Sequence, residues 1–150
     1  MSTPAPEPLL DPARLIARQQ PVVLRGLVRD WPLVAKGLEG PETAVAYLKS
    51  FYTGTAVVGY SGPPEIGGRV FYNVHMTAMN FTATRVKLDA FLDRMLATRD
   101  DPHAEALYVG STDLDTYLPG FCAENDLALP PEAFGGATPL ASIWIGNRTT

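Results

Sequence analysis

Cysteine is nearly absent from this chain: Cys122 stands alone among 150 residues, which excludes an internal disulfide and a cysteine-rich zinc site. Beside Phe121, it reads as a small buried apolar residue. Histidine is almost as scarce, with only His75 and His103. There is no basic run either. The twelve Lys and Arg are scattered, the net charge is -4 and the pI is near 5.1, so the electrostatic footprint of a nucleic-acid binder is missing. The longest apolar stretches, such as Pro21 to Leu24 and Ala56 to Val58, fall far short of the ~20 residues that span a bilayer. The opening residues, Met1 to Pro8, have neither the basic nor the apolar region of a signal peptide, and a cytoplasmic location is the default expectation. The Gly/Pro-rich segments Ser61 to Pro64 and Gly67-Gly68 lack the spacing and the following Lys-Ser/Thr of a phosphate-binding loop.

The chain does have enough apolar residues, 46% against 19% charged, for one globular core. Fourteen prolines and thirteen glycines predict short, often interrupted elements rather than long helices. Residues 1 to 10 read as a loose, Pro-rich tip. Asp11-Pro12 predicts an N-capped helix to about Gln19, and Pro21 to Gly26 a buried strand. Asp30-Trp31-Pro32 opens a second helix ending near Gly37. Pro41 opens a third, with Val45, Leu48, Phe51 and Tyr52 on one face. Thr55 to Tyr60 and Arg69 to Tyr72 read as two strands of a hairpin, and Asn80 to Thr84 as a short extended piece. Val86, Leu88, Phe91, Leu92, Met95 and Leu96 mark an amphipathic helix from about Lys87 to the break at Asp100-Asp101-Pro102. Glu105 to Ser111 predicts a strand, Asp113 to Tyr117 a helical turn, Phe121 to Pro131 an irregular stretch, and Ser142 to Gly146 a last strand. Only the turn-like Asn147 to Thr150 follows. A half-built sheet leaves unpaired edges, so the expectation is a segment of a larger domain.

Four stretches in this order resemble the JmjC/cupin-like (cupin-8 type) oxygenases, the group that includes the asparaginyl hydroxylase factor inhibiting HIF. They are Pro21 to Gly26 with Asp30-Trp31-Pro32; Asn80-Phe81-Thr82 followed by Leu88 to Leu92; Leu107 to Ser111; and Ser142 to Thr150. The resemblance covers about residues 11 to 150. It implies an α+β fold, with N-terminal helices packed around the opening strands of a double-stranded β-helix, the jelly-roll barrel of cupins, incomplete at its C-terminus. It also implies the N-terminal part of an Fe(II)/2-oxoglutarate-dependent dioxygenase acting on a protein side chain or a small molecule. In the family, a segment like Ile145-Gly146-Asn147 leads into a His-x-Asp motif, with a second His much further on. Those three hold iron and leave open positions on it. That motif is expected beyond Thr150, so the complete protein would bind Fe(II) and 2-oxoglutarate while this chain alone would bind neither and be inactive. A homodimer through the C-terminal region is a further implication. A non-catalytic cupin-like binding module is the alternative.

Two candidates for holding 2-oxoglutarate come from the resemblance. Tyr108 falls on the strand where the family carries a phenol donor to the cosubstrate's carboxylate, and is otherwise an ordinary core aromatic. Thr149 or Thr150 falls near the family's threonine donor, and is otherwise a turn residue; the register between the two stays open. The pairing lysine is expected further along. His103-Ala104-Glu105 mimics half of an iron triad, but His75 lies upstream of it where the family requires a downstream histidine, so this group reads as a solvated decoy. Asp113 and Asp115 read as a helix start rather than an acid/base pair. Trp31 and Trp144, inside apolar elements, read as core anchors.

Overall fold

The computed structural model describes residues 11–147; the N-terminal tip, Thr149 and Thr150 lie outside them. Helix α1 (Pro12–Arg18) starts where Asp11 accepts a hydrogen bond from the Arg14 amide at 3.1 Å, with proline at the first helical position. Helices α2 (Pro32–Glu39) and α3 (Pro41–Phe51) open on proline in the same way. The second runs two residues past the expected stop at Gly37, because glycine weakens a helix interior by only about 1 kcal/mol.

Four strands follow, interleaved with helices: β1 (Val57–Gly62), β2 (Thr82–Val86), β3 (Ala106–Asp113) and β4 (Ser142–Gly146). They form one antiparallel sheet in the order β2-β1-β3-β4. Helix α4 (Leu88–Thr98) connects β2 to β3, and two single turns, α5 (Leu114–Tyr117) and α6 (Phe121–Glu124), follow β3.

The core lies between one sheet face and the helices. On α4, Leu88, Phe91, Leu92 and Met95 recur at helical spacing and are all buried. They meet Val57 of β1 and Leu107 and Val109 of β3, with Leu48 of α3 and Leu114, Leu118 and Phe121 closing the cluster. Strand β1 can approach α4 because Gly59 has no side chain: a Cβ there would come within 2.8 Å of Val86 and 3.0 Å of Phe91. Between Val109 and Thr112 the β3·β4 register shifts, three steps along β3 facing two along β4, and Ser111 takes a left-handed φ of 51°.

Polar groups that the helices leave unsatisfied are served from a distance. Tyr52 donates its hydroxyl to the Thr55 carbonyl at 2.7 Å and accepts the first α4 amide, Leu88, at 3.1 Å. Buried Asn125 accepts from the Leu33 amide at the start of α2 and donates to the Tyr47 hydroxyl and the Phe121 carbonyl. Tyr47 in turn donates to Glu124 at 2.7 Å, and burial together with that carboxylate raises its pKa.

Two expectations are corrected. Pro21 to Gly26 is not a strand: residues 21–24 are irregular, 25–30 form turns, and Val23 is 77% exposed. β-Branched residues favour a pleat only when a neighbouring strand covers them, and none is placed beside this segment among the described residues. Arg69 to Tyr72 is not the hairpin partner of β1. That partner is β2, in the register Gly59↔Thr84 and Tyr60↔Ala83, and residues 69–81 form a loop carrying one isolated bridge, Tyr72↔Met79. Gly67 and Gly68, both at positive φ, turn the chain away before it can pair.

Asn125 ties α2, α3 and α6 together, so Asn125→Ala should leave the part-buried Leu33 amide and the Phe121 carbonyl without their side-chain partner and take from the Tyr47 hydroxyl the bond it accepts. The expected loss is about 2–3 kcal/mol in urea unfolding. A loss below about 0.5 kcal/mol would mean that the network is slack.

Candidate functional site

The sheet face opposite α4 is lined by aromatic rings. Strand alternation sends Leu107, Val109, Ile143 and Ile145 to the core and Tyr108, Gly110, Trp144 and Gly146 to the other side. Tyr60 of β1 stands opposite Tyr108 in the ladder, their ring centroids 6.0 Å apart. Phe81, just before β2, meets Tyr60 edge-on at 5.1 Å. The loop 69–81 then rises over this face and encloses a cleft of about 450 Å³, with Tyr60, Phe71, Tyr72, Phe81, Tyr108 and Trp144 among its walls.

The loop is held by its own asparagines. Asn80 accepts from the Phe71 amide at 2.9 Å and donates to the Arg69 carbonyl at 2.8 Å. Asn73 accepts from the amides of His75 and Thr77 at 3.2 and 3.1 Å. These bonds replace the strand pairing that the segment lacks, and they keep Phe71 and Tyr72 in edge-to-face contact at 5.2 Å.

Tyr108 stands at the junction of this cleft and a smaller one of about 190 Å³ that opens toward Gly146. Two glycines make the room. Gly146 lies opposite Tyr108 on β4 and places nothing against its ring. Gly110 lies beside the ring: a Cβ there would come within 2.7 Å of the Tyr108 ring and 3.2 Å of Trp144. The backbone next to Tyr108 is pinned by Asn147, whose side chain accepts from the Leu107 amide at 2.8 Å and donates to the Glu105 carbonyl at 3.0 Å. Its own amide bonds the Leu107 carbonyl at 3.2 Å. The Tyr108 hydroxyl has no hydrogen-bond partner among the described residues. Because no buried side-chain polar atom goes unpaired, that hydroxyl reaches solvent.

Trp144 is corrected from core anchor to cleft wall: it is 56% exposed, because its neighbours Ile143 and Ile145 take the two inward positions of β4. Trp31 packs less deeply than an anchor and donates its indole N–H to the Asp126 carbonyl at 3.1 Å. Asp113 caps α5 by accepting from the Thr116 amide at 2.8 Å, and its bonds with Thr116 hold its pKa below the usual carboxylate range. Burial raises the Cys122 thiol, with nearby carboxylates adding to the effect. Glu105 pairs with Arg94, and the His103 amide bonds Asp101 at 2.8 Å. Among the described residues no three His, Cys, Asp or Glu side chains cluster closely enough to hold a metal ion. The described residues therefore do not fit an iron centre. For 2-oxoglutarate they offer space and a free phenol, but no cation lines either cleft.

The remaining cleft residues, Tyr60, Phe71, Tyr72, Phe81 and Trp144, carried a signal in strand alternation for the two that lie on strands. For the loop residues the sequence carried none. Gly110→Ala should push the Tyr108 and Trp144 rings apart while leaving the fold intact. In a Trp31→Phe background, Trp144 emission is expected to shift with far-UV circular dichroism unchanged; identical emission would show that the rings do not meet over Gly110.

The profile of the cupin-like domain family matches residues 8–150. No curated protein and no solved structure gives a significant match. No helix among the described residues is long and apolar enough to cross a membrane. The matched span takes in every element from α1 to β4, and with it both clefts and Tyr108. The chain belongs to the cupin-like domain family, a domain of the kind found in 2-oxoglutarate oxygenases.

Proposed function

We propose that this domain forms the cosubstrate-binding wall of an Fe(II)/2-oxoglutarate-dependent oxygenase that hydroxylates a protein side chain or a small molecule. The observation that carries the reading is Tyr108: a phenol without a partner, on a strand paired on both sides, facing two clefts in a family-matched domain. A buried carboxylate is costly unless donors meet it, and a phenol supplies one short, charge-assisted bond. The iron, when bound, would supply the oxidation. This chain's residues orient the cosubstrate: Tyr108 donates its proton to a carboxylate oxygen, Gly110 and Gly146 leave room for it, and Asn147 fixes the strand that carries the ring.

A second reading, a cupin-like binding module without iron, is favoured by cleft walls that carry no charged side chain among the described residues. A His-x-Asp or His-x-Glu shortly after Thr150 supports the oxygenase, and another residue at the His position supports the module.

In the full-length protein, Tyr108→Phe should raise the KM for 2-oxoglutarate about tenfold to a hundredfold with little change in kcat, because a bond to a charged group is worth roughly 1.5–3 kcal/mol. Succinate release measured against 2-oxoglutarate concentration checks it. An unchanged KM would remove Tyr108 from the site. Residues 1–150 alone should release no succinate, and turnover by them would overturn the assignment of the iron ligands to residues further along.

A further inference from the structure

The larger cleft has a chemical character that a dicarboxylate does not explain. Its volume of about 450 Å³ is in the range of small-molecule sites and too small for a helix some 10 Å across. Among the described residues no ionisable acid or base lines it apart from the phenols of Tyr60, Tyr72 and Tyr108, and the one other side-chain hydroxyl is that of Ser111. An anion entering it would shed hydration without meeting a counter-charge among the described residues, whereas a ring without negative charge would exchange water for aromatic edges and faces. The outer wall is also held in shape before any ligand arrives. Asn73 and Asn80 fix the loop backbone, and Phe71, Tyr72 and Met79 are exposed on it, with Phe71 61% accessible. Preorganised apolar surface of this kind lowers the ordering cost of binding.

We propose that the cleft between loop 69–81 and the sheet takes an aromatic group without negative charge on the primary substrate, held between Phe71, Tyr72 and Met79 on the loop and Trp144 on β4. This rests on the oxygenase reading, with the Tyr108 end left to 2-oxoglutarate, and it adds the class of group that is presented for reaction. Selectivity comes from charge rather than from a matched hydrogen bond. An acidic ring of the same size is rejected because no described residue in the walls neutralises it and the ring faces are themselves electronegative.

The test is isothermal titration calorimetry on the full-length protein with two probes that share a ring: indole and indole-3-acetate. Indole is expected to bind at least tenfold more tightly than indole-3-acetate. Phe71→Ala and Met79→Glu should each weaken indole at least fivefold while 2-oxoglutarate affinity stays within twofold. Both side chains are exposed, so neither change empties the core, and unchanged thermal unfolding confirms it. Tyr108→Phe should do the reverse, weakening 2-oxoglutarate and sparing indole. Equal affinity for the two probes, or indole binding indifferent to both loop variants, overturns the substrate class and leaves the oxygenase reading standing. Intact, loop-dependent indole binding without any 2-oxoglutarate binding overturns the oxygenase reading instead.

Discussion

Strand β3 has no freedom of address. It is paired with β1 on one side and β4 on the other, and its inward residues Leu107 and Val109 are almost wholly buried against α4. A slip of one residue would send those two to the solvent face and Tyr108 into the core, an exchange that the hydrophobic term forbids. Everything on the far side of the sheet takes its position from that constraint. Tyr108 meets Tyr60 because of register, Gly146 lies opposite because of register, and the cleft exists because loop 69–81 closes over a face whose pattern is already set.

The helices were legible because their signals are local. Asp11-Pro12, Pro32 and Pro41 mark true starts, and Leu88, Phe91, Leu92 and Met95 report a buried stripe through spacing alone. Strands β3 and β4 were found for a similar reason, as β-branched and aromatic runs between turn residues. What failed depended on partners. Pro21 to Gly26 has strand composition but no neighbour beside it, and Arg69 to Tyr72 lost its place beside β1 to a segment ten residues further on. The fate of Trp144 turned on which face of β4 is buried, which its apolar neighbours Ile143 and Ile145 settle only once α4 is in place. Tyr108 was reached through family resemblance. Its aromatic surroundings were not, since ring contacts between β1, β3 and a loop are not adjacent in the chain. Asn80 is instructive, because a residue first noticed as part of a family pattern turns out to have a local mechanical task, gripping the loop at Arg69 and Phe71.

The two faces of the sheet divide labour by chemistry. The α4 face is dry and aliphatic, with branched side chains that interlock and leave little space. The opposite face is aromatic, and glycines at 110 and 146 stand where a side chain would fill the cavity. Rings contribute contact area with few torsions to freeze, so a face built from them can accept a guest at modest entropic cost. Stability is concentrated in one face and recognition in the other, with β3 common to both.

The bulge in β3 carries a consequence for the parity of the strand. Val109 and Thr112 are both buried although they stand three positions apart, which plain alternation would place on opposite faces, and Ser111 absorbs the difference by turning left-handed. Ahead of it, odd-numbered positions point inward; behind it, even-numbered ones do, which is how Leu114 reaches the core at the start of α5. Removing a single residue here would not merely shorten the polypeptide. It would abolish the bulge and leave a plain ladder, with one residue instead of two opposite Trp144 and with Thr112 and Leu114 still directed inward.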